Sequence, residues 1–289
     1  MRVLVTGGHG KIGRLQTETL LKAGHTVRTL DRTAAPKNAP CEHIPGDICD
    51  PYTVRGAMQD MDAVIHLAAI PNDRHGASLE VLDVNVRGTW NVLFAALESG
   101  VQQVVTFSSV NALGCVGGRR AAEYLPIDDE HPRHPNSPYQ LSKHLMEESC
   151  RSFSERYGMN TFCLRPVFVA NKDEYHWLKH RGQLDNHHMQ GEYFGYVDSR
   201  DVVDAGMRCL TTTASGYHGL LLTAEDTILQ AGTLEAAEHC YPNTTWKQDA
   251  VEYTRTNPFR SFFDCSAALN ALGWRATHSW RNMDEHGEG

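Results

Sequence analysis

Short apolar runs alternate with amphipathic stretches through the first 165 residues of this 289-residue chain, and that rhythm is the strongest constraint on its fold. Residues 2–6 (RVLVT), 26–31 (TVRTLD), 62–69 (DAVIHLAA), 103–109 (QVVTFSS) and 160–166 (NTFCLRP) are rich in Val, Ile, Leu or Phe and bounded by turn residues. Strands buried on both faces of a parallel sheet have this composition. Between them, residues 11–23, 52–59, 77–99 and 138–157 carry apolar residues at helical spacing, and Gly24 and Gly100 stand where two of these helices should stop. Strand and helix in alternation with short connections predict an α/β fold with a doubly wound parallel sheet.

After residue 166 the rhythm breaks. Residues 171–195 are polar and His-rich, 196–210 read as a strand end running into a helix, and 216–289 alternate less regularly. The expected division is a dinucleotide-binding domain of 1–166 plus about 196–215, with a smaller substrate lobe from 167–195 and about 216–289. A net charge of −8 with scattered basic residues argues against nucleic acid as a partner. No apolar run approaches the roughly 20 residues that span a bilayer. The start, MRVLVTGG, reads as a first strand and not as a secretory signal. The eight cysteines (41, 49, 115, 150, 163, 209, 240, 265) form no C-x-x-C pair, so they read as small core residues of a reduced, cytoplasmic protein.

The first strand runs into VLVTGGHGKIG, where Gly7, Gly10, Lys11, Ile12 and Gly13 form a G-x-x-G-x-x-G turn into a helix. Missing side chains let a pyrophosphate approach the N-terminus of that helix, whose free N–H groups and dipole favour negative charge. Asp31 ends the second strand, 18 residues past Gly13, where a carboxylate can accept both ribose hydroxyls of an adenosine. Arg32 could instead meet a 2′-phosphate, but the neighbouring carboxylate would repel it, so the expected cofactor is NAD.

Taken in order, the glycine turn, Asp31, GDICD (46–50), HLAA (66–69), NVRGTWNVL (85–93), FSS (107–109), YQLSK (139–143) and LRP (164–166) resemble the extended short-chain dehydrogenase/reductase family. That group includes NAD-dependent epimerases, dehydratases and dehydrogenases acting on sugars, and the likeness covers about residues 1 to 210. A weaker one reaches FDCSAALNALGW (263–274). The resemblance implies a Rossmann-type sheet, with Asp47 and Ile48 flanking the adenine. It puts Leu67, Ala68 and Ala69 beside the cofactor's ribose and phosphate, Asn85 in support of the catalytic region, and Pro166 and Val167 near the nicotinamide. It further implies a homodimer through helices 77–99 and 138–157.

Tyr139 and Lys143, four residues apart, then acquire a mechanism. A hydride leaves a carbinol for nicotinamide only if the hydroxyl proton departs too, and a free Tyr, with a pKa of about 10, is a poor base. A cation one helical turn away should favour the phenolate, and Lys143 can also hold the ribose hydroxyls. Counting back from Gly114, Ser109, and not Ser108, matches the family's catalytic hydroxyl. The expected catalytic residues are Ser109, Tyr139, Lys143 and Asn85, with Ser109, Asn111 and Tyr139 on the substrate. His176, His180, His187 and His188 lie within 13 residues, but no carboxylate framework accompanies them, so no metal is expected. Arg119 and Arg120 could hold an anionic substrate.

Dehydratases of the family carry an Asp-Glu pair where this chain has Val110 and Asn111. Nucleotide-sugar epimerases place an Asn three residues past the LR arginine, where Arg165 is followed by Phe168. Only 171–195 are available for the insertion that nucleotide-sugar enzymes lengthen. The expected reaction is hydride transfer between NAD and a carbinol of a sugar or sugar acid, in the style of uronate dehydrogenases. Leu113, where many relatives have Tyr, leaves the substrate contacts open. The alternatives are a nucleotide-sugar epimerase and a non-catalytic NAD(H)-sensing regulator, although regulators of the superfamily typically lose the Tyr or the Lys.

Overall fold

A computed structural model of the chain describes residues 1–35, 37–73, 78–117 and 120–282. Strands β1 (Arg2–Thr6), β2 (Thr26–Asp31), β3 (Glu42–Pro45), β4 (Ala63–His66), β5 (Gln103–Phe107), β6 (Tyr124–Leu125), β7 (Asn160–Pro166), β8 (Phe168–Ala170), β9 (Tyr196–Asp198), β10 (Tyr217–Leu222) and β11 (Thr245–Trp246) alternate with eleven helices. These are α1 (Lys11–Lys22), α2 (Pro51–Met58), α3 (Ser78–Leu82), α4 (Gly88–Glu98), α5 (Pro138–Tyr157), α6 (Tyr175–Arg181), α7 (His187–Gly191), α8 (Ser199–Cys209), α9 (Thr233–Cys240), α10 (Ala250–Thr254) and α11 (Ser266–Leu272).

Seven strands form one parallel sheet in the order β10-β7-β5-β4-β1-β2-β3. The chain winds outward one way from β1 and then returns to build the other half from β4. The carboxyl ends of β1 and β4 therefore flank the switch point, where an open α/β sheet leaves a crevice for ligands. Val3, Leu4, Val5, Val64, Ile65, Val104 and Val105 are fully buried, so both faces of the central strands are covered. β6 with β11, and β8 with β9, make two small parallel pairs beside the sheet.

The strands expected at 2–6, 26–31 and 160–166 match in extent; those at 62–69 and 103–109 stop at His66 and Phe107. Beyond these, β3 and β10 are edge strands that periodicity did not reveal. β3 is the four residues EHIP, with Pro45 tolerated because an edge strand has no second neighbour to bond. β10 falls within the segment expected in the smaller lobe, yet it pairs with β7 along its whole length. The helix expected at 77–99 is interrupted by a π turn at Asp83–Arg87; residue 77 lies outside the described residues.

One buried ionic cluster joins the sheet to α5. Glu147, fully buried, accepts hydrogen bonds from Arg165 Nε and Nη2 (2.9 and 2.8 Å), Arg133 Nη1 (2.8 Å), Ser108 Oγ (2.6 Å) and the Tyr217 hydroxyl (3.2 Å). Arg165 Nη1 also donates to Asp129 at 2.7 Å. Burial alone would raise the Glu147 carboxyl pKa, but Arg165 and Arg133 outweigh it and hold the group below its usual range. Removing one member of such a cluster leaves a buried charge unpaired, which costs about 3–5 kcal/mol. Arg165→Ala is therefore expected to lower the urea midpoint by an amount corresponding to about 3–5 kcal/mol; a change under about 1 kcal/mol would show that water re-enters and satisfies the carboxylates.

Candidate active site

The turn after β1 is built for close approach. Gly7 has φ +70°, and a Cβ there would sit 2.6 Å from the Ala68 nitrogen; at Gly13 a Cβ would sit 2.1 Å from the Gly7 carbonyl. Gly7 thus admits the loop after β4, while Gly13 lets α1 press against the turn. A cavity of about 180 Å³ opens above them, lined by Gly7, Gly10, Asp31, Asp47, Ile48, Leu67, Ala68 and Ala69 among others. Eight of the residues expected at the cofactor thus meet in one place with Arg32, the residue weighed for a 2′-phosphate, and Leu30, Gly46 and Val84 join them without having been singled out.

Asp31 is held at the rim, accepting from the backbone N–H groups of His9 (3.0 Å) and Thr33 (2.8 Å). Lys11 turns away from the cavity: its ammonium pairs with Glu174 at 2.6 Å and donates to the Val169 carbonyl at 3.2 Å, tying the glycine turn to β8 and the segment after it. Side-chain-free backbone, a free helix N-terminus and a rim carboxylate fit the pyrophosphate and ribose of a dinucleotide.

Behind this cavity runs a hydrogen-bond relay that motif reading did not isolate. The Ala68 N–H donates to Thr6 Oγ1 at 3.3 Å, and Thr6 Oγ1 meets His66 Nδ1 at 2.6 Å. His66 Nε2 lies 3.0 Å from Thr89 Oγ1, whose hydroxyl donates to the Asn85 carbonyl at 2.6 Å. Because Thr89 spends its proton on Asn85, His66 must donate from Nε2 and accept at Nδ1. Burial, aided by the Lys143 cation, pushes the imidazole pKa down to about 3, so His66 is neutral. Asn85 sits in the π turn and clasps Ile70, accepting from its N–H (2.8 Å) and donating to its carbonyl (3.0 Å), with a further bond to Ser142 Oγ (2.9 Å). π turns often occur where a side chain must be turned inward at a functional site.

A second cavity, of about 540 Å³, is lined by Ser109, Asn111, Tyr139, Val167, Phe168 and Trp177, with Asp73, His188 and Glu192 supplying further titratable groups. The two candidate serines have separate environments. Ser108 is bonded to Glu147 inside the protein, whereas Ser109 faces the cavity and accepts from Asn111 N (3.2 Å) and Nδ2 (3.3 Å). The Tyr139 phenol is pushed up to about 12, chiefly by burial; the Ser109 hydroxyl opposes this, and the charges of Asp73 and Glu192 add to it. The protein's own groups therefore do not produce the lowering expected from Lys143. That ammonium, only 2% exposed, donates to the Phe107 carbonyl at 2.7 Å and lies 5.9 Å from the centre of the Tyr139 ring. Burial brings its own pKa down to about 8, against the opposing pull of Glu147.

Pro166 ends β7 and Val167 borders the second cavity. His176 and His180 lie on α6, and His187 and His188 open α7; His188 alone of the four lines the cavity. Arg120 lies 3.9 Å from Glu123, and Arg119 lies outside the described residues.

Residues 3–188 match the model of the NAD dependent epimerase/dehydratase family. The chain belongs to this family. It is an enzyme of the NAD-dependent dehydrogenase and epimerase kind, with NAD as its cofactor. A relative matching along most of the chain is the 3 beta-hydroxysteroid dehydrogenase/Delta 5-->4-isomerase of Mycobacterium tuberculosis, 30% identical over 95% of this chain and 70% of its own. The uronate dehydrogenase of Pseudomonas syringae is 30% identical over 57% of this chain and 58% of its own. Among solved structures, a short-chain dehydrogenase/reductase superfamily protein from Agrobacterium tumefaciens with bound NAD superposes with a TM-score of 0.74. It is 24% identical, over 99% of this chain and 96% of that one. No helix among the described residues is long and apolar enough to cross a membrane.

The Lys143 environment predicts a pH signature. The folded pKa of about 8 lies below the ordinary lysine value of 10.5, so the buried cation costs stability fully below pH 8. That cost is relieved as pH rises from 8 toward 10.5. Lys143→Met is expected to be more stable than the parent at pH 7 in urea titrations, with the gap closing across that interval. A variant that is less stable at pH 7, or a gap independent of pH, would contradict the assignment.

Proposed function

We propose that the chain transfers a hydride between NAD and a carbinol of an unlinked sugar or sugar acid, with Ser109, Tyr139 and Lys143 as the catalytic residues. The observation carrying this reading is the convergence of Ser109, Asn111 and Tyr139 on one cavity, with Lys143 buried one turn below Tyr139. Bound NAD would supply the hydride acceptor and a positive nicotinamide ring. Gly7, Gly10, Lys11, Ile12 and Gly13 would hold its pyrophosphate, Asp31 its adenosine ribose, Asp47 and Ile48 would flank its adenine, and Leu67, Ala68 and Ala69 would pass beside its ribose and phosphate. Pro166 and Val167 would face the nicotinamide, and Asn85 would steady the turn beneath it.

Ser109 orients the substrate hydroxyl, and Tyr139 takes its proton as the hydride leaves. Lys143, released from the Phe107 carbonyl, supplies the positive field that a phenol raised to about 12 requires. Residues 167–195 and most of 216–282 form the substrate side of the cleft in this reading, although β10 belongs to the sheet. No Lys or Arg among the described residues lines the second cavity, which disfavours a nucleotide diphosphate and with it the epimerase alternative. The steroid-dehydrogenase relatives, which match 94–95% of this chain and 70% of their own length, support a second reading, oxidation of a sterol hydroxyl against Val167, Phe168, Trp177 and Met189.

A panel of free sugars, sugar acids, nucleotide sugars and a 3β-hydroxysteroid with NAD separates these readings. NADH should accumulate with an unlinked sugar, and Tyr139→Phe should lower turnover 100-fold or more, about 3 kcal/mol in barrier, while NAD binding survives. Full activity in Tyr139→Phe would remove the phenol from the mechanism, and epimerised nucleotide sugar without NADH would favour the epimerase.

The proposal extends to a homodimer through α4 and α5. Trp90 and Phe94 on α4 and Leu141 and Leu145 on α5 are apolar and between 38% and 49% exposed. Light scattering on the purified protein should give twice 32.2 kDa; a single-chain mass would reject this interface.

A further inference from the structure

Glu192 follows α7 and faces the second cavity, opposite the catalytic hydroxyls. Its place is made by Gly117. A Cβ on Gly117, whose φ is +62°, would sit 2.8 Å from Glu192 Oε1 and 3.0 Å from Asn111 Oδ1. Two acceptor oxygens therefore converge on one small space that only glycine leaves open. The Asn111 amide is oriented by its neighbour: Nδ2 donates to Ser109 Oγ, so Oδ1 must point away from Ser109, toward Glu192. Asn111 Oδ1 and the Glu192 carboxyl have no hydrogen-bond donor among the described residues, although burial pushes the Glu192 carboxyl up to about 7. Both residues are half-buried and line the cavity, so a ligand that brings hydrogens can supply the donors that the described protein groups do not.

The charges around this space act in the same sense. Asp73 lies on the same cavity and accepts the Tyr139 N–H at 2.6 Å. The nearby Arg181 is stacked over Trp177 at 4.2 Å, outside the described lining. Among the described residues that line the cavity, only His188 carries a side chain that can bear positive charge, and the same lining holds the carboxyl groups of Asp73 and Glu192 and the Tyr139 phenol.

We propose that Glu192 and Asn111 Oδ1 form an acceptor subsite that receives hydroxyl hydrogens of an uncharged polyhydroxyl substrate and rejects a substrate carboxylate. The flat wall of Phe168 and Trp177, stacked at 5.3 Å, gives the non-polar face of such a sugar a surface to lie on. This narrows the carbinol-oxidation reading, on which it rests, from sugars and sugar acids to neutral sugars. Glu192 acts here as a specificity determinant, with no proton assigned to it in the hydride step.

Binding, rather than turnover, tests it. The NADH-loaded protein is titrated calorimetrically with neutral aldoses and with the matched uronic acids at pH 8. At least one neutral sugar is expected to bind at least tenfold more tightly than its uronate. Glu192→Gln, which keeps the shape and removes the charge, should bring the ratio to within about threefold; Glu192→Met provides a second uncharged variant if the amide fails to fold. Uronate binding equal to or tighter than the neutral partner overturns the proposal. So does an unchanged ratio in a folded variant, or an absence of binding by either class. The oxidation reading fails separately, when a neutral sugar binds with the expected ratio but NAD gives no NADH.

Discussion

The buried Glu147 carboxylate is the interaction on which the site's geometry depends. It lies four residues beyond Lys143 and eight beyond Tyr139 on α5, so the three share one side of one helix, with Glu147 and Lys143 buried and Tyr139 on the second cavity. Through Arg165 it grips β7, through Tyr217 the edge strand β10, and through Ser108 the residue just past β5. Its negative charge also opposes the desolvation of the Lys143 ammonium one turn away. A hydrophobic residue of similar volume could replace such a cluster with little loss of stability. It would not hold Lys143 charged, nor would it draw Ser108 inward and leave Ser109 as the hydroxyl on the cavity. The cluster thus sets position as well as stability.

A second device couples the cofactor side to the catalytic helix. The chain of bonds from Ala68 through Thr6, His66 and Thr89 to Asn85 is directional, because each hydroxyl has one proton to give. Asn85 then closes the loop on Ile70 and reaches Ser142 on α5. The π turn at 83–87 costs regular helical bonding, and this inward amide is what the irregularity provides. A regular helix would rotate Asn85 away from Ile70.

Residue pattern alone revealed most of the sheet and the location of the cleft. Long buried strands such as QVVTF and NTFCLRP leave little choice of conformation, and glycine turns must accommodate close approach whatever surrounds them. Edge strands escaped because their residues need satisfy only one neighbour: EHIP is short and ends in proline, and the first half of YHGLLL is polar or glycine and only half-buried, so neither shows a sustained apolar run. The π turn escaped because DVNVR keeps helical composition while its hydrogen bonding shifts by one residue. Among the site residues, Glu147 had a readable signal, the Tyr139-x3-Lys143-x3-Glu147 spacing, whereas Glu192 had none. It is one carboxylate in a polar stretch, and only the fold brings it opposite Asn111 and Gly117.

The placement of cations follows from the same economy of charge. Arg165 and Arg133 are committed to Glu147, Lys11 to Glu174, and Arg200 to Asp198. Arg181 lies flat on Trp177 instead of reaching across the cleft. Each of these side chains could in principle meet a phosphate or carboxylate of a ligand, but doing so would strip a carboxylate or an aromatic face of its partner. Their present partners are geometrically well matched, so recruiting them would cost about as much as the new contact returns. With these cations engaged and no Lys or Arg among the described residues that line it, the cleft must recognise its ligand through acceptors, aromatic faces and the few hydroxyls that face it, which is the chemistry gathered around Ser109, Asn111 and Tyr139.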